Sequence, residues 1–472
     1  MTGFRQMVLT RPRAALPSWR TWRRWLLAAG VAAFALAVGS YVSFVLHSPP
    51  LIRFMSPVDI WVYRSAGLIV RGATPLYGTH KLTTLYHWAR NPQFTYTPFA
   101  AMVFTILTVP AFQLLMRISV GVNILALLGT IWMCLGCLGY RRGMARLGGT
   151  LLLAAALFWT EPVQRTLYLG QIELVLMALI IWDQCQPDRR WWKGAGIGIA
   201  AGIKLVPLIF IPYLLLTRRY RQAGVAAGVF ALTVAAGFAV LPGASRSWWL
   251  DGLFLQGKRT GFMGWEGNQS LLAIITRLSG SMSAAQPAWL AAAAVTTVAG
   301  LAAATMLDRA GQRLAGLLTC ALTGLLVSPV SWDHHWVWIV PGVVLAVHYA
   351  FRARSAVRWA WAALAAAIVL IFAAWPGSFW GAPRDLGAFS MGLIWAPPNT
   401  NPGAYYQHGD LPSYAEYHWH GLQLLAGNLY VLTGMAIFVL ALVLAFRAKR
   451  GLRTPVRTAS QPGPVLEPSG RR

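Results

Sequence analysis

Residues 25–46 read WLLAAGVAAFALAVGSYVSFVL, an apolar run without a charge, preceded by Arg20, Arg23 and Arg24. A helix needs roughly 20 apolar residues to cover the ~30 Å hydrocarbon layer of a bilayer, so this stretch predicts a membrane-spanning helix. It is too long for the core of a cleavable signal peptide, and comparable runs follow at 223–241, 289–306, 314–330, 336–351, 357–375 and 428–446. Lipid offers no hydrogen-bond partner to open backbone, so these segments are expected as helices. The expected fold is an all-α integral membrane protein, a polytopic bundle of about 12 transmembrane helices. Residues 1–24 form a basic amino-terminal segment, 25–447 the membrane domain and 448–472 a basic, Pro-, Ser- and Gly-rich tail expected to be disordered. Short helices are expected on outer loops near 48–96, 243–287 and 376–427.

Composition supports the same class. The chain is 57% hydrophobic and 11% charged, with a mean hydropathy of +0.54. Its net charge of +27 would also suit a nucleic-acid binder, but the positives gather at span ends and tails, as the positive-inside rule expects. No nucleic-acid partner is therefore expected. Arginine clusters at both termini place both ends in the cytoplasm. Between them, Arg218, Arg219 and Arg221, then Arg309 and Arg313, then Arg352, Arg354 and Arg358 alternate with long outer loops. Two stretches resist assignment. Tyr96–Leu138 fits two spans, or one span preceded by a surface helix. Residues 194–216 have basic flanks on both sides and carry Pro207 and Pro212, as a hairpin that enters and returns would. The four cysteines read as core packing, because no second pair or His cluster completes a metal set.

On this topology most acids share one side. Asp59, Glu161, Glu173, Asp251, Glu266, Asp333, Asp385, Asp410 and Glu416 fall on the outer face, and Asp183, Asp188, Asp308 and Glu467 inside. Asp59 is either a general base for an attacking hydroxyl or the cap of an amphipathic surface helix, in which Ile60, Val62, Leu68 and Ile69 meet the membrane and Arg64 and Arg71 face out. The segment Ser328–Trp338, SPVSWDHHWVW, brings His334 and His335 to the outer end of a span, as a polar pocket for phosphate or sugar or as an interfacial aromatic belt. Further candidates for a cavity lining or acceptor site are Tyr63, Glu161, Gln171, Glu173, Asn268 and Gln269. Arg53, Arg64, Lys258 and Arg259 are cations for a phosphate. Lys204, inside an apolar stretch, either snorkels or meets an anionic head group. Aromatic residues of the 376–427 loop, among them Trp395, Tyr414 and Trp419, suit sugar stacking or a membrane-surface cover. No Walker, Rossmann, nucleophile-elbow or HExxH pattern is present, no cofactor is expected, and a transporter of a lipid-linked sugar is the competing class.

Taken in order, VDIWVYRSAGLIVRGATPLY (58–77), FTYTPFAAMVF (94–104), GQIELVLMAL (170–179), GIAAGIKLVPLIFIPYLLLTRR (198–219), GNQSL (267–271) and SPVSWDHHWVW (328–338) resemble glycosyltransferase family 87. The resemblance implies a GT-C-type fold in the plasma membrane with the active site on the extracytoplasmic side. It implies an α-1,2-mannosyltransferase that uses polyprenyl-phosphate-mannose, with inversion, on a phosphatidylinositol mannoside or a lipomannan or lipoarabinomannan acceptor; a related arabinosyltransferase is the nearby alternative. It also implies that Asp59 is the catalytic base and that His334 and His335 line the same cavity. Glu173 departs from the pattern, since the family often has Asn after GQI.

Overall fold

The structure, a computed structural model, describes residues 19–47, 58–72, 75–77, 93–375, 392–398 and 411–453. Among the described residues the regular structure is helical, with two isolated β-bridges, Thr160 with Ala373 and Asn268 with Trp332. The helices are α1 (Trp19–His47), α2 (Val58–Arg71), α3 (Pro98–Phe104), α4 (Phe112–Cys137), α5 (Met144–Phe158), α6 (Glu161–Leu169), α7 (Glu173–Gln184), α8 (Ala195–Ile203), α9 (Phe210–Leu216), α10 (Tyr220–Val240), α11 (Leu271–Ser279), α12 (Met282–Arg309), α13 (Arg313–Val327), α14 (Ile339–Arg352), α15 (Ser355–Ile371) and α16 (Leu429–Arg453). Five of them, α1, α4, α10, α12 and α16, contain segments long and apolar enough to cross a membrane. The pair α6–α7 passes the same test together but is bent by 115°, and α5, α13 and α15 are shorter apolar helices. The protein is a membrane protein.

The bundle closes through small residues. In lipid, helices gain little by hiding apolar surface from one another, so close backbone approach and dispersion drive their packing. Between α1 and α5 a Cβ on Gly30 would lie 2.6 Å from the Gly148 carbonyl oxygen, and one on Gly148 would lie 2.6 Å from that of Leu26. The far ends of α5 and α15 are tied by backbone bonds, Glu161 N–H to Phe372 O at 2.6 Å and Ala374 N–H to Trp159 O at 2.7 Å.

Both uncertain stretches of sequence resolve. Tyr96–Leu138 is one long helix, α4, preceded by the short α3. The 194–216 stretch is a hairpin of α8 and α9 broken at Val206–Ile209, and both its ends return to one face. There Lys193 and Arg313 pair with Asp188 at 2.9 and 2.8 Å, Arg221 donates to the carbonyls of Asp188 and Arg190, and Arg219 pairs with Asp308 at 2.7 Å. Lys204 follows α8 at the turn of the hairpin and pairs with Glu173, the first residue of α7. The acids thus divide between two ends of the bundle, as the sequence suggests: Asp183, Asp188 and Asp308 at the basic end, and Glu161, Glu173 and Asp333 at the other.

Two expectations are corrected. Ile60 and Val62 of α2 are buried in the protein rather than laid on the membrane, because α2 packs on α3 and Thr105–Thr108. Cys137 and Cys185 form a disulfide with Cα atoms 6.0 Å apart, whereas Cys134 and Cys320 are buried free thiols.

Candidate active site

A cavity of about 310 Å³ opens where α2, α6, the hairpin turn and the Trp332–Trp338 segment converge. Asp59 enters it from α2, where it is the second residue. That position in the first turn also sets its charge against the helix's positive end. Arg165 enters from α6, Gln171 from the bend that follows, Lys204 from the hairpin turn, and Asp333, His334 and His335 from one 3₁₀ turn. Tyr96, Tyr168, Trp248, Phe254, Trp265 and Trp332 supply aromatic walls.

The local sequence explains the aim of each group. Gly170 takes a left-handed φ of 69°, which ends α6 and lets the chain turn into α7 with Gln171 in the elbow. The Asp333 carboxylate accepts from Arg165 Nε at 2.9 Å and from His334 at both its backbone N–H (2.9 Å) and Nδ1 (3.0 Å). The other ring nitrogen of His334, Nε2, is buried with no hydrogen bond to the described residues. Lys204 Nζ pairs with Glu173 and lies 2.8 Å from His335 Nε2.

Electrostatics separate two kinds of acid. Burial pushes the Asp59 carboxyl up; His334, a hydrogen bond from Gln171, Arg165 and Lys204 oppose it. Burial also acts on Asp333, but Arg165 and His334 outweigh it and hold that carboxyl well below the usual range, so it is a fixed anion. His335 is neutral: burial, then Lys204 and His334, hold its imidazole well below the ordinary value. A cavity with one adjustable carboxyl facing Arg165 and Lys204 can hold an anion and take a proton from a neighbouring hydroxyl. Two cationic side chains suit an anion better than a metal ion.

The expected site residues divide. Asp59, Gln171, Lys204, His334 and His335 share the cavity. Tyr63 stands behind Gln171, donating to its Oε1 at 2.5 Å. Glu173 lies beneath Lys204, and Glu161 lies behind Asp333, bonded by Trp395 Nε1 and the Tyr430 hydroxyl at 3.2 Å each. Asn268 and Gln269 do not line the cavity. Asn268 binds the carbonyls of Met263 and Pro329 and the Ser331 N–H, and the Gln269 N–H donates to Ser331 O, so together they clamp the SPVSW segment from below, while the Gln269 side chain binds Glu266 O, Gly427 O and the Val431 N–H. Arg64 is spent on the carbonyls of Leu107 and Pro110, and Arg259 on Gln93, Phe94 O and the face of Tyr77, so neither lines the cavity. Arg53 and the Lys258 side chain lie outside the described residues. The loop aromatics also lie elsewhere: Trp395 covers the Arg165 guanidinium at 5.0 Å, Tyr414 packs on Phe262, and Trp419 covers Arg277.

Sequence reasoning missed Arg165 as a site residue. Its one local signal is Glu161 four residues earlier on the same helical face, inside an apolar neighbourhood where an arginine is costly unless paired.

A sequence profile described as Glycosyltransferase family 87 matches residues 94–329. The chain belongs to glycosyltransferase family 87. A relative from Mycobacterium tuberculosis (strain CDC 1551 / Oshkosh), named polyprenol-phosphate-mannose-dependent alpha-(1-2)-phosphatidylinositol pentamannoside mannosyltransferase, is 34% identical over 347 residues, covering 71% of this chain and 77% of the relative. A second from Mycobacterium tuberculosis (strain ATCC 25618 / H37Rv), named polyprenol-phosphate-mannose-dependent alpha-(1-2)-phosphatidylinositol mannoside mannosyltransferase, is 32% identical over 344 residues, covering 70% and 77%. No solved structure gives a significant match. Membership of family 87 makes this chain a membrane glycosyltransferase. The matched stretch contains Arg165, Gln171 and Lys204, whereas Asp59 and the two histidines flank it and reach the same cavity through the fold.

Proposed function

We propose that this glycosyltransferase moves mannose from polyprenyl-phosphate-mannose to a hydroxyl of a phosphatidylinositol mannoside, making an α-1,2 bond with inversion. The observation that carries this reading is the single cavity in which Asp59 faces Arg165 and Lys204 between aromatic walls. The acceptor hydroxyl attacks the anomeric carbon from the face opposite the phosphate. Asp59 takes its proton as the new C–O bond forms, and the C1–phosphate bond breaks with its electron pair on polyprenyl phosphate. A β-linked donor then yields an α-linked product. Charge grows on the leaving phosphate, so preorganised donors there lower the barrier more than they tighten ground-state binding. Arg165, Lys204, His334 and His335 take that role, and Trp248, Trp265 and Trp332 stack on the sugars. The donor arrives through the bilayer, which accounts for a site without a nucleotide-binding fold. In this reading the bundle is of the GT-C type with about 12 membrane helices, the α8–α9 hairpin supplying two of them. The basic end and both termini are cytoplasmic, and the cavity opens outside.

The test is purified protein in proteoliposomes with radiolabelled polyprenyl-phosphate-mannose and phosphatidylinositol mannosides. The expected result is a new glycolipid with a terminal α-1,2-mannose, lost in Asp59→Asn. Transbilayer movement of the donor without a new glycosidic bond would overturn the reading in favour of a transporter, and product only on lipomannan would redirect the acceptor.

A further inference from the structure

Behind the cavity wall lies a chain of polar groups whose directions are fixed by proton counting. The Tyr63 hydroxyl is 2.5 Å from Gln171 Oε1 and 2.7 Å from the Tyr96 hydroxyl, which itself lies 3.4 Å from the same Gln171 oxygen. A phenol has one proton. The Gln171 oxygen can only accept, so Tyr63 donates to it, and Tyr63 is left to accept from Tyr96. With its oxygen taken, the Gln171 amide turns its N–H toward the cavity it shares with Asp59, where a hydrogen bond from Gln171 opposes the effect of burial on the Asp59 carboxyl. The backbone of Gln171 is pinned as well, by Asn123 Nδ2 donating to its carbonyl at 3.1 Å. Tyr63, Gln171 and Asn123 are each buried, and Asp59 and Tyr63, four residues apart, share one face of α2.

We propose that Tyr63 and Gln171 are positioning residues for Asp59: the relay Tyr96 to Tyr63 to Gln171 locks the amide so that its N–H, never its oxygen, meets the base. This role rests on Asp59 being the base in the reaction proposed above. The lock does two things. It fixes one carboxylate oxygen and leaves the other to the acceptor hydroxyl. It also favours the ionised form, which burial disfavours, and hydrogen bonds aligned in one sense reinforce each other. The other groups that act on Asp59 are His334, Arg165 and Lys204, and the phenols of Tyr63 and Tyr96 and the Lys204-bound Glu173 stand close by. Of these only the two phenols reach the amide oxygen and so set which end of the amide Asp59 sees. Tyr63→Phe removes the short bond and leaves only the Tyr96 hydroxyl, 3.4 Å away, on the amide oxygen, so the amide is freer to turn that oxygen toward the carboxylate. Gln171→Met removes the donor at nearly constant volume.

The experiment measures Asp59 protonation directly. Dicyclohexylcarbodiimide modifies protonated buried carboxyls, and its yield on the Asp59 peptide, read by mass spectrometry against pH with Asp59→Asn as the blank, gives a midpoint. The midpoint should rise by about one pH unit in Gln171→Met, which loses a hydrogen bond to the charged form, and by a smaller amount in Tyr63→Phe, which only loosens the amide that makes it. Tyr63→Phe keeps the ring stacked 4.4 Å from Phe104 and should fold normally. In the transfer assay the acid limb of kcat should move up in each variant by as much as its labelling midpoint, with donor KM unchanged in Tyr63→Phe, since Tyr63 does not line the cavity. Unshifted labelling midpoints, or pH profiles that superimpose on wild type after scaling, would overturn the lock. A labelling shift in a protein that transfers no mannose would leave the lock standing and refute the function instead.

Discussion

Arg165→Met deletes the guanidinium whose Nε sits 2.9 Å from Asp333 Oδ2 and leaves that carboxylate buried without its cation. Removing one member of a buried pair costs about 3–5 kcal/mol, and a charge pair about 4 Å apart at an effective dielectric near 20 gives about 4 kcal/mol. The single variant should therefore melt well below wild type. Adding Asp333→Asn removes the orphaned charge. The Asn oxygen can still accept from the His334 backbone N–H and Nδ1, so the imidazole keeps its orientation. The double variant should recover most of the lost stability, to within about 1–2 kcal/mol. If Arg165 holds the leaving phosphate, activity should not follow. Loss of one preorganised donor costs about 10²–10³ in kcat, and the double variant should stay that far down while its melting returns. Melting of the detergent-solubilised protein and transfer from radiolabelled polyprenyl-phosphate-mannose measure the two quantities on the same preparations. A double variant within about threefold of wild-type turnover would refute the phosphate role and leave Arg165 as a structural cation.

Asp59→Asn keeps the shape and should lose about 10²–10⁴ in transfer rate at unchanged melting temperature; wild-type-like turnover would remove Asp59 from the chemistry. Asn268→Ala breaks its bonds to Met263, Pro329 and Ser331 behind the cavity wall, and should cost about 1–3 kcal/mol for each buried group left unpaired, read by thermal melting. Gly148→Val should destabilise strongly, because its Cβ would lie 2.6 Å from the Leu26 carbonyl oxygen, whereas Gly149→Ala, with nothing within 4 Å, should melt like wild type.

The sequence reveals this fold through length and charge. Apolar runs over 289–306 and 428–446 became α12 and α16, and the basic clusters gathered at one end of the bundle as expected. The failures have a common physical origin. An isolated chain shows which residues are charged, but not which charges are already satisfied. Arg64 and Arg259 look available for a phosphate, yet backbone carbonyls and a tyrosine face consume them. Arg165 looks unremarkable, yet the bend at Gly170 carries its helix to the cavity wall. Asn268 and Gln269 look like polar lining for the same reason, and turn out to be the brackets under it. Asp59 was legible because one carboxylate after a first span has few structural uses, and the SPVSWDHHWVW segment because two histidines beside an acid must find partners.

The α8–α9 hairpin carries one more consequence. Because it returns to the face it leaves, its gain, loss or lengthening in a descendant chain would be invisible to the orientation of every later helix. The parity of crossings, which decides where the terminal arginines end up, does not depend on it. Evolution could thus adjust the reach of Lys204 without inverting half the molecule, a freedom that a helix crossing the membrane once does not have.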